Sequence, residues 1–145
     1  MQYNKYSNSI PLFENFCRQN QVDGKTISAN VGNKSLKLTV AATPESMIGG
    51  YSNKPGPKEG EGMIFIYPED APLFFWMKDV NYQLDIIFFD SMMNLVDHFT
   101  MDACGDLKDE ELPRYESSQP ARFAVEVPGG WCKSNKIDKN CRLKF

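Results

Sequence analysis

The sequence predicts a single α+β domain, a strongly curved and mostly antiparallel β-sheet of barrel-like form with one or two short helices and an N-terminal helical extension. Three observations carry this prediction. Apolar runs at Met63 to Tyr67, Leu73 to Lys78, Leu84 to Asp90 and Leu95 to Met101 follow one another through brief turns rich in Pro, Asp, Asn and Ser. Leu36, Leu38 and Val40 alternate with polar residues, and Phe123, Val125 and Val127 repeat the same spacing, which is the period of a strand with one buried face. A length of 145 residues suits one domain with a sizeable core. Residues 1–30 read as the extension and residues 31–145 as the domain.

In chain order, Pro11, Leu12, Phe13, Phe16 and Cys17 describe a short amphipathic helix with Pro11 in its first turn. Lys25 to Val31 and Lys34 to Val40 flank Gly32-Asn33, a two-residue hairpin signal. Thr43-Pro44-Glu45 sets out a capping hydroxyl, a first-turn proline and an early carboxylate, and Gly49-Gly50 stops the helix they start. Ser52 to Glu61 is too polar and too broken by Gly and Pro for regular structure, so a mobile surface loop is expected. The four apolar runs then read as strands, and their short connections imply antiparallel neighbours. Asp102 to Gln119 is acidic and loop-like, and Ala121 to Val127 is another strand. Pro128-Gly129-Gly130 turns the chain into a short helical piece at Trp131, and Arg142 to Phe145 is placed to close the sheet.

Composition excludes several classes. There are 16 basic and 19 acidic residues, a net charge of −3, and the basic residues are scattered, which argues against nucleic acid as a partner. The longest apolar runs, such as Ile86 to Phe89, fall far short of the roughly 20 residues of a membrane span. Met1 to Asn8 is polar and lacks the apolar core of a secretory signal, so the expected location is the cytoplasm or an assembly made there. Four cysteines are too few for a disulfide scaffold at this length, and reduced thiols are expected, with a Cys132–Cys141 bridge as the alternative.

Leu36 to Val40, Ala42-Thr43-Pro44-Glu45, Gly49, Glu61-Gly62-Met63, Phe75-Trp76-Met77-Lys78, Leu84-Asp85-Ile86, Ala121-Arg122-Phe123, Glu126 and Gly130-Trp131 together resemble the uncharacterised family known as domain of unknown function 192, over about residues 35–143. The resemblance implies a small α+β domain with a curved sheet and no settled activity, in a family with many exported members. The chain departs from the family pattern at Asp79, where asparagine is usual. It also departs at Cys104, which stands alone where a cysteine pair is common, and at Asn140-Cys141, which replaces a glycine-aspartate step. Roles that rest on the cysteine pair or on export do not carry over.

Lys78 and Asp85 interrupt apolar runs where a charge is costly. A hairpin of Leu73 to Lys78 with Leu84 to Asp90 sets Lys78 opposite Asp85, Trp76 opposite Ile87 and Phe74 opposite Phe89. Such a face is an aromatic floor ending in an ion pair, which is either a register-fixing salt bridge or a ligand cleft of Trp76, Lys78 and Asp85. No metal site is expected, because Asp79, Asp90 and Asp97 form no calcium-loop pattern and the cysteines no zinc spacing. His98 and Cys104 lack the third member of a nucleophilic triad, and neither Gly-Gly pair has phosphate-loop spacing, so no catalytic residue and no cofactor is assigned. Glu126 is expected to project away from Val125 and Val127, solvated or paired with Arg122, and Trp131 to plug a sheet end.

Three functions follow from these residues. The first is a non-enzymatic binding or assembly module with a protein partner or self-assembly, such as a structural component of a virion. The second is a small-ligand binder using the Trp76/Lys78/Asp85 cleft, and the third is a small enzyme with Lys78 and Asp85 as an acid-base pair.

Overall fold

The chain enters the sheet through a hairpin in which β1 (Thr26–Val31) pairs antiparallel with β2 (Lys34–Ala41). Gly32 takes the left-handed backbone (φ 60°) that closes this two-residue connection. The computed structural model describes residues 22–145. The expected helix over Pro11 to Cys17 lies outside the described residues, and the first strand begins at Thr26, ahead of the expected domain boundary.

After β2 the chain forms helix α1 (Pro44–Gly49). Thr43 caps it, with a reciprocal Thr43–Ser46 capping box, Pro44 at its start and Glu45 in the first turn, as the sequence implies. Asp23 fastens this corner by accepting from the backbone of Ala42 and Thr43 and from the Ser46 hydroxyl. Residues 52–60 contain no regular element, and Tyr82 donates to the Lys54 carbonyl at 2.8 Å across them.

β3 (Glu61–Ala71), β5 (Leu84–Phe89), β6 (Leu95–Met101), β8 (Ala121–Pro128) and β9 (Leu143–Lys144) complete a seven-stranded sheet of order β6-β5-β8-β3-β2-β1-β9. Every pairing is antiparallel except β2 with β3. The sheet curls until its ends meet at an Asn94–Arg142 bridge, where the Arg142 guanidinium also donates to Asn94 Oδ1 and to the Met92 carbonyl. With helices of six and four residues, α1 and α2 (Trp131–Ser134), the domain is mostly β, a coarser class than the α+β expectation.

Two expected strand pairings do not form. Leu73 to Lys78 yields only the two-residue β4 (Phe74–Phe75), which pairs with β7 (Tyr115–Glu116) in a separate ribbon and not with β5. β5 is flanked by β6 and β8 instead. Three successive aromatic residues offer no alternation to extend β4, and Asp79, in left-handed conformation (φ 58°), turns the chain soon after.

Both faces of the central strands are covered. The inner face packs Leu36, Leu38, Ile64, Ile87, Phe89, Phe123 and Val125 into one core, closed at one end by Trp131. The outer face buries Met63, Phe65, Ile86, Phe88 and Ala124 beneath Phe75, Met77 and Val80. Phe75 stands edge-on to Phe65, with ring centroids 4.8 Å apart. All six residues of β5 are therefore buried. Close packing is most severe at Gly62, where a Cβ would lie 2.2 Å from the Glu126 carbonyl oxygen of the neighbouring strand.

Candidate functional site

Lys78 and Asp85 do not meet. Lys78 Nζ bonds Asp109 Oδ2 at 2.6 Å, with the two side chains 42% and 53% exposed. That hydrogen bond raises the lysine pKa. Asp85 is fully buried and accepts three hydrogen bonds, from Thr100 Oγ1 (2.8 Å), Gly130 N (2.9 Å) and Cys132 N (2.8 Å). The last two donors open α2, so Asp85 caps a helix start from a neighbouring strand. The expected pair fails because β4 is not the partner of β5: Lys78 follows the outer-face ribbon, while Asp85 shares the inner face with Ile87 and Phe89. Asp85 is thus hydrogen-bonded to the start of α2 and to Thr100, Lys78 is bonded to Asp109, and the expected Lys78–Asp85 pair is not formed.

Trp76 does border a cavity, of about 440 Å³. Its floor is Phe65 and Tyr67 from β3 with Glu126 from β8. One wall is Met47 and Ile48 of α1 with Gly50 and Tyr51 just after it. The other is Phe74, Phe75, Trp76 and Val80, and Arg114 stands at the mouth. The Arg114 guanidinium lies 4.9 Å from the centre of the Phe74 ring and 5.9 Å from that of Trp76, and Lys78 Nζ lies 5.7 Å from the Trp76 ring, so these faces already attract cations. Ile48 and Phe74 are 82% and 53% exposed beside this cavity, large apolar side chains left in water on its rim.

Glu126 is the residue that sequence reasoning misplaced. Its side chain does project opposite to Val125 and Val127, but that face is covered, and the residue is 4% exposed. The expected pair with Arg122 does not form, and Arg122 Nε donates to the Tyr67 carbonyl instead. No described residue donates a hydrogen bond to the Glu126 carboxyl, and burial alone pushes its pKa up to about 8. Tyr51, Tyr67 and Tyr82 surround it, and burial followed by the nearby Glu126 charge raises each phenol above its ordinary value, Tyr67 to about 12. At neutral pH the cavity thus holds an acid that is mostly protonated among phenols that stay neutral. Only part of the signal for this lies in the sequence. The apolar run Ile86 to Phe89 marks a strand covered on both faces, but that β8 lies beside it and shares the cover is set by long-range pairing.

Elsewhere, Cys104, Cys132 and Cys141 are free thiols. Burial, reinforced by Asp85, raises the Cys132 thiol pKa. No helix among the described residues is long and apolar enough to cross a membrane.

A family model described as Uncharacterized ACR, the domain of unknown function 192 (DUF192), matches residues 26–145. Two solved structures share the fold. A "putative transcription regulator" from Sinorhizobium meliloti 1021 is 19% identical with a TM-score of 0.73, over 86% of this chain and 96% of that one. A protein of unknown function from Novosphingobium aromaticivorans DSM 12444 is 18% identical with a TM-score of 0.73, over 83% of this chain and 85% of that one. No curated protein matches the chain.

Proposed function

We propose that this chain, which belongs to the domain of unknown function 192 family, is a binding module that seats an apolar or aromatic group between α1 and the Phe74–Trp76 segment. The observation that carries this reading is the cavity of about 440 Å³, lined by aromatic rings, rimmed by exposed Ile48 and Phe74 and floored by an acid with no donor among the described residues. That volume lies within the range of pockets that take small ligands, and one polar group set in an apolar lining is their usual composition. Trp76 keeps the stacking role expected of it, Lys78 sits beside the mouth, and Glu126 takes the place of Asp85 as the acid of the site. A small molecule and the side chain of a protein partner present the same chemistry to such a cavity.

Fragment mapping by amide NMR tests the proposal. Small aromatic compounds at millimolar concentration should shift the resonances of Gly50, Tyr51, Tyr67, Trp76 and Glu126 together. Shifts confined to other surfaces, or none at all, would defeat it.

A further inference from the structure

Resting on that binding function, we propose that the group seated in the cavity is an organic cation, an ammonium on an apolar or aromatic body, with Glu126 as its counter-ion and the rings of Trp76, Tyr51 and Tyr67 around it. Three observations converge. The floor carries one ionisable acid, 4% exposed and without a donor among the described residues. A buried acid of this kind is relieved most by a ligand that brings both a positive charge and N–H donors. The walls are aromatic faces, whose quadrupole favours cations, and two of these rings already hold cations of the chain itself, Arg114 on Phe74 and Trp76 and Lys78 on Trp76.

Binding is coupled to a proton. The carboxyl, with its pKa near 8, is mostly protonated at neutral pH, so an ammonium entering the cavity displaces that proton to solvent and leaves a carboxylate-ammonium pair. Among the groups that face the carboxyl, Tyr51, Tyr67 and Tyr82 have raised pKa values and do not titrate in the neutral range, and the other charged group lining the cavity is the Arg114 guanidinium at its mouth. Amine affinity is therefore expected to rise by about tenfold per pH unit between about pH 5.5 and 7.5 and to level off above the acid's own pKa. Arg114 is a resident competitor for the same rings, so Arg114→Gln is expected to strengthen amine binding.

The test is titration calorimetry of the full chain with phenethylamine, the neutral 2-phenylethanol and the anionic 3-phenylpropionate, near pH 7 and in buffers of different ionisation enthalpy. The expected result is an amine bound at least about tenfold more tightly than the alcohol, close to one proton released per amine, and a preference abolished in Glu126→Gln. Proton release in the unaltered protein keeps the test decisive if that variant misfolds. Equal affinity for amine and alcohol, with no proton released, would overturn the cation and leave the binding function standing. Tighter binding of the propionate would overturn it in favour of an anion held by Arg114. Failure of all three probes to bind would remove the binding function and this inference together.

Discussion

Replacing Glu126 by glutamine separates a cavity acid held neutral by burial from one held ionised by a partner. Burial raises the carboxyl from 4.5 to about 8 in the folded chain, whereas unfolding returns it to water. Between those two values the folded protein binds the extra proton, so stability must fall as pH rises. The contribution is fully present below about pH 4.5, is lost at about 1.4 kcal/mol per pH unit through the window, and stays lost above about pH 8. The total, about 5 kcal/mol, is comparable with the whole stability of a small domain. Glutamine keeps the size and polarity of the neutral acid and has no proton to lose. Variant and parent should therefore be similarly stable at about pH 4, with the variant ahead by about 3 kcal/mol near pH 7. Urea denaturation at steps from about pH 4 to about pH 8.5 measures this, and subtracting the two curves cancels every other titrating group. Parallel curves would refute the reasoning. A variant less stable near pH 7 would mean that the folded protein holds Glu126 as a compensated carboxylate.

Other substitutions probe the frame around the cavity. Asp85→Ala strips the acceptor from Thr100, Gly130 and Cys132 and should cost about 3 kcal/mol or more in denaturant unfolding, with amide protection lost first in Trp131–Ser134. Lys78→Ala, which removes the exposed pair with Asp109 and the cation contact with the Trp76 ring, should leave the melting temperature nearly unchanged, and a large drop would mean the lysine has a buried role. Gly62→Ala forces a Cβ against the Glu126 carbonyl and should destabilise by about 2–3 kcal/mol, read from the same unfolding curves. Thr43→Ala removes the cap of α1, the wall of the cavity, at about 1 kcal/mol, and should also weaken binding of an aromatic probe.

Local signals in the sequence were strong where one residue sets one torsion or one cap. Gly32-Asn33, Thr43-Pro44 and the Gly129-Gly130 turn each act within a few residues, so the β1–β2 hairpin, α1 and α2 stand where the sequence places them. Pairings set by long-range packing were not legible. Nothing local says that β3 lies parallel to β2 across nineteen intervening residues, or that β8, far along the chain, inserts between β3 and β5. The assumption that neighbours in sequence pair in space put β4 against β5 and so created a Lys78–Asp85 contact that does not exist. Trp76 stands out in the sequence because an aromatic beside a charge is conspicuous, and in the fold it borders the cavity. Glu126 was missed because alternation alone assigns the face opposite Val125 to water, and only the cover provided by α1, Tyr51 and the Phe74–Val80 segment buries it.

Asp85 and Glu126 together show why burial by itself does not mark a site. Both are acids on neighbouring central strands, 0% and 4% exposed, and an acid in either position would be expensive if left uncompensated. The difference lies in donors. Asp85 has three, all from its own chain and two of them backbone groups that α2 cannot satisfy internally, so its charge is used up in holding a helix start to the sheet. Glu126 has none among the described residues, and faces a cavity rather than a helix end. A fold gains nothing from an uncompensated acid, since an apolar residue of similar volume at that position would be the more stable choice. The proposed ammonium would supply the missing donors at Glu126, and the aromatic walls favour the same charge.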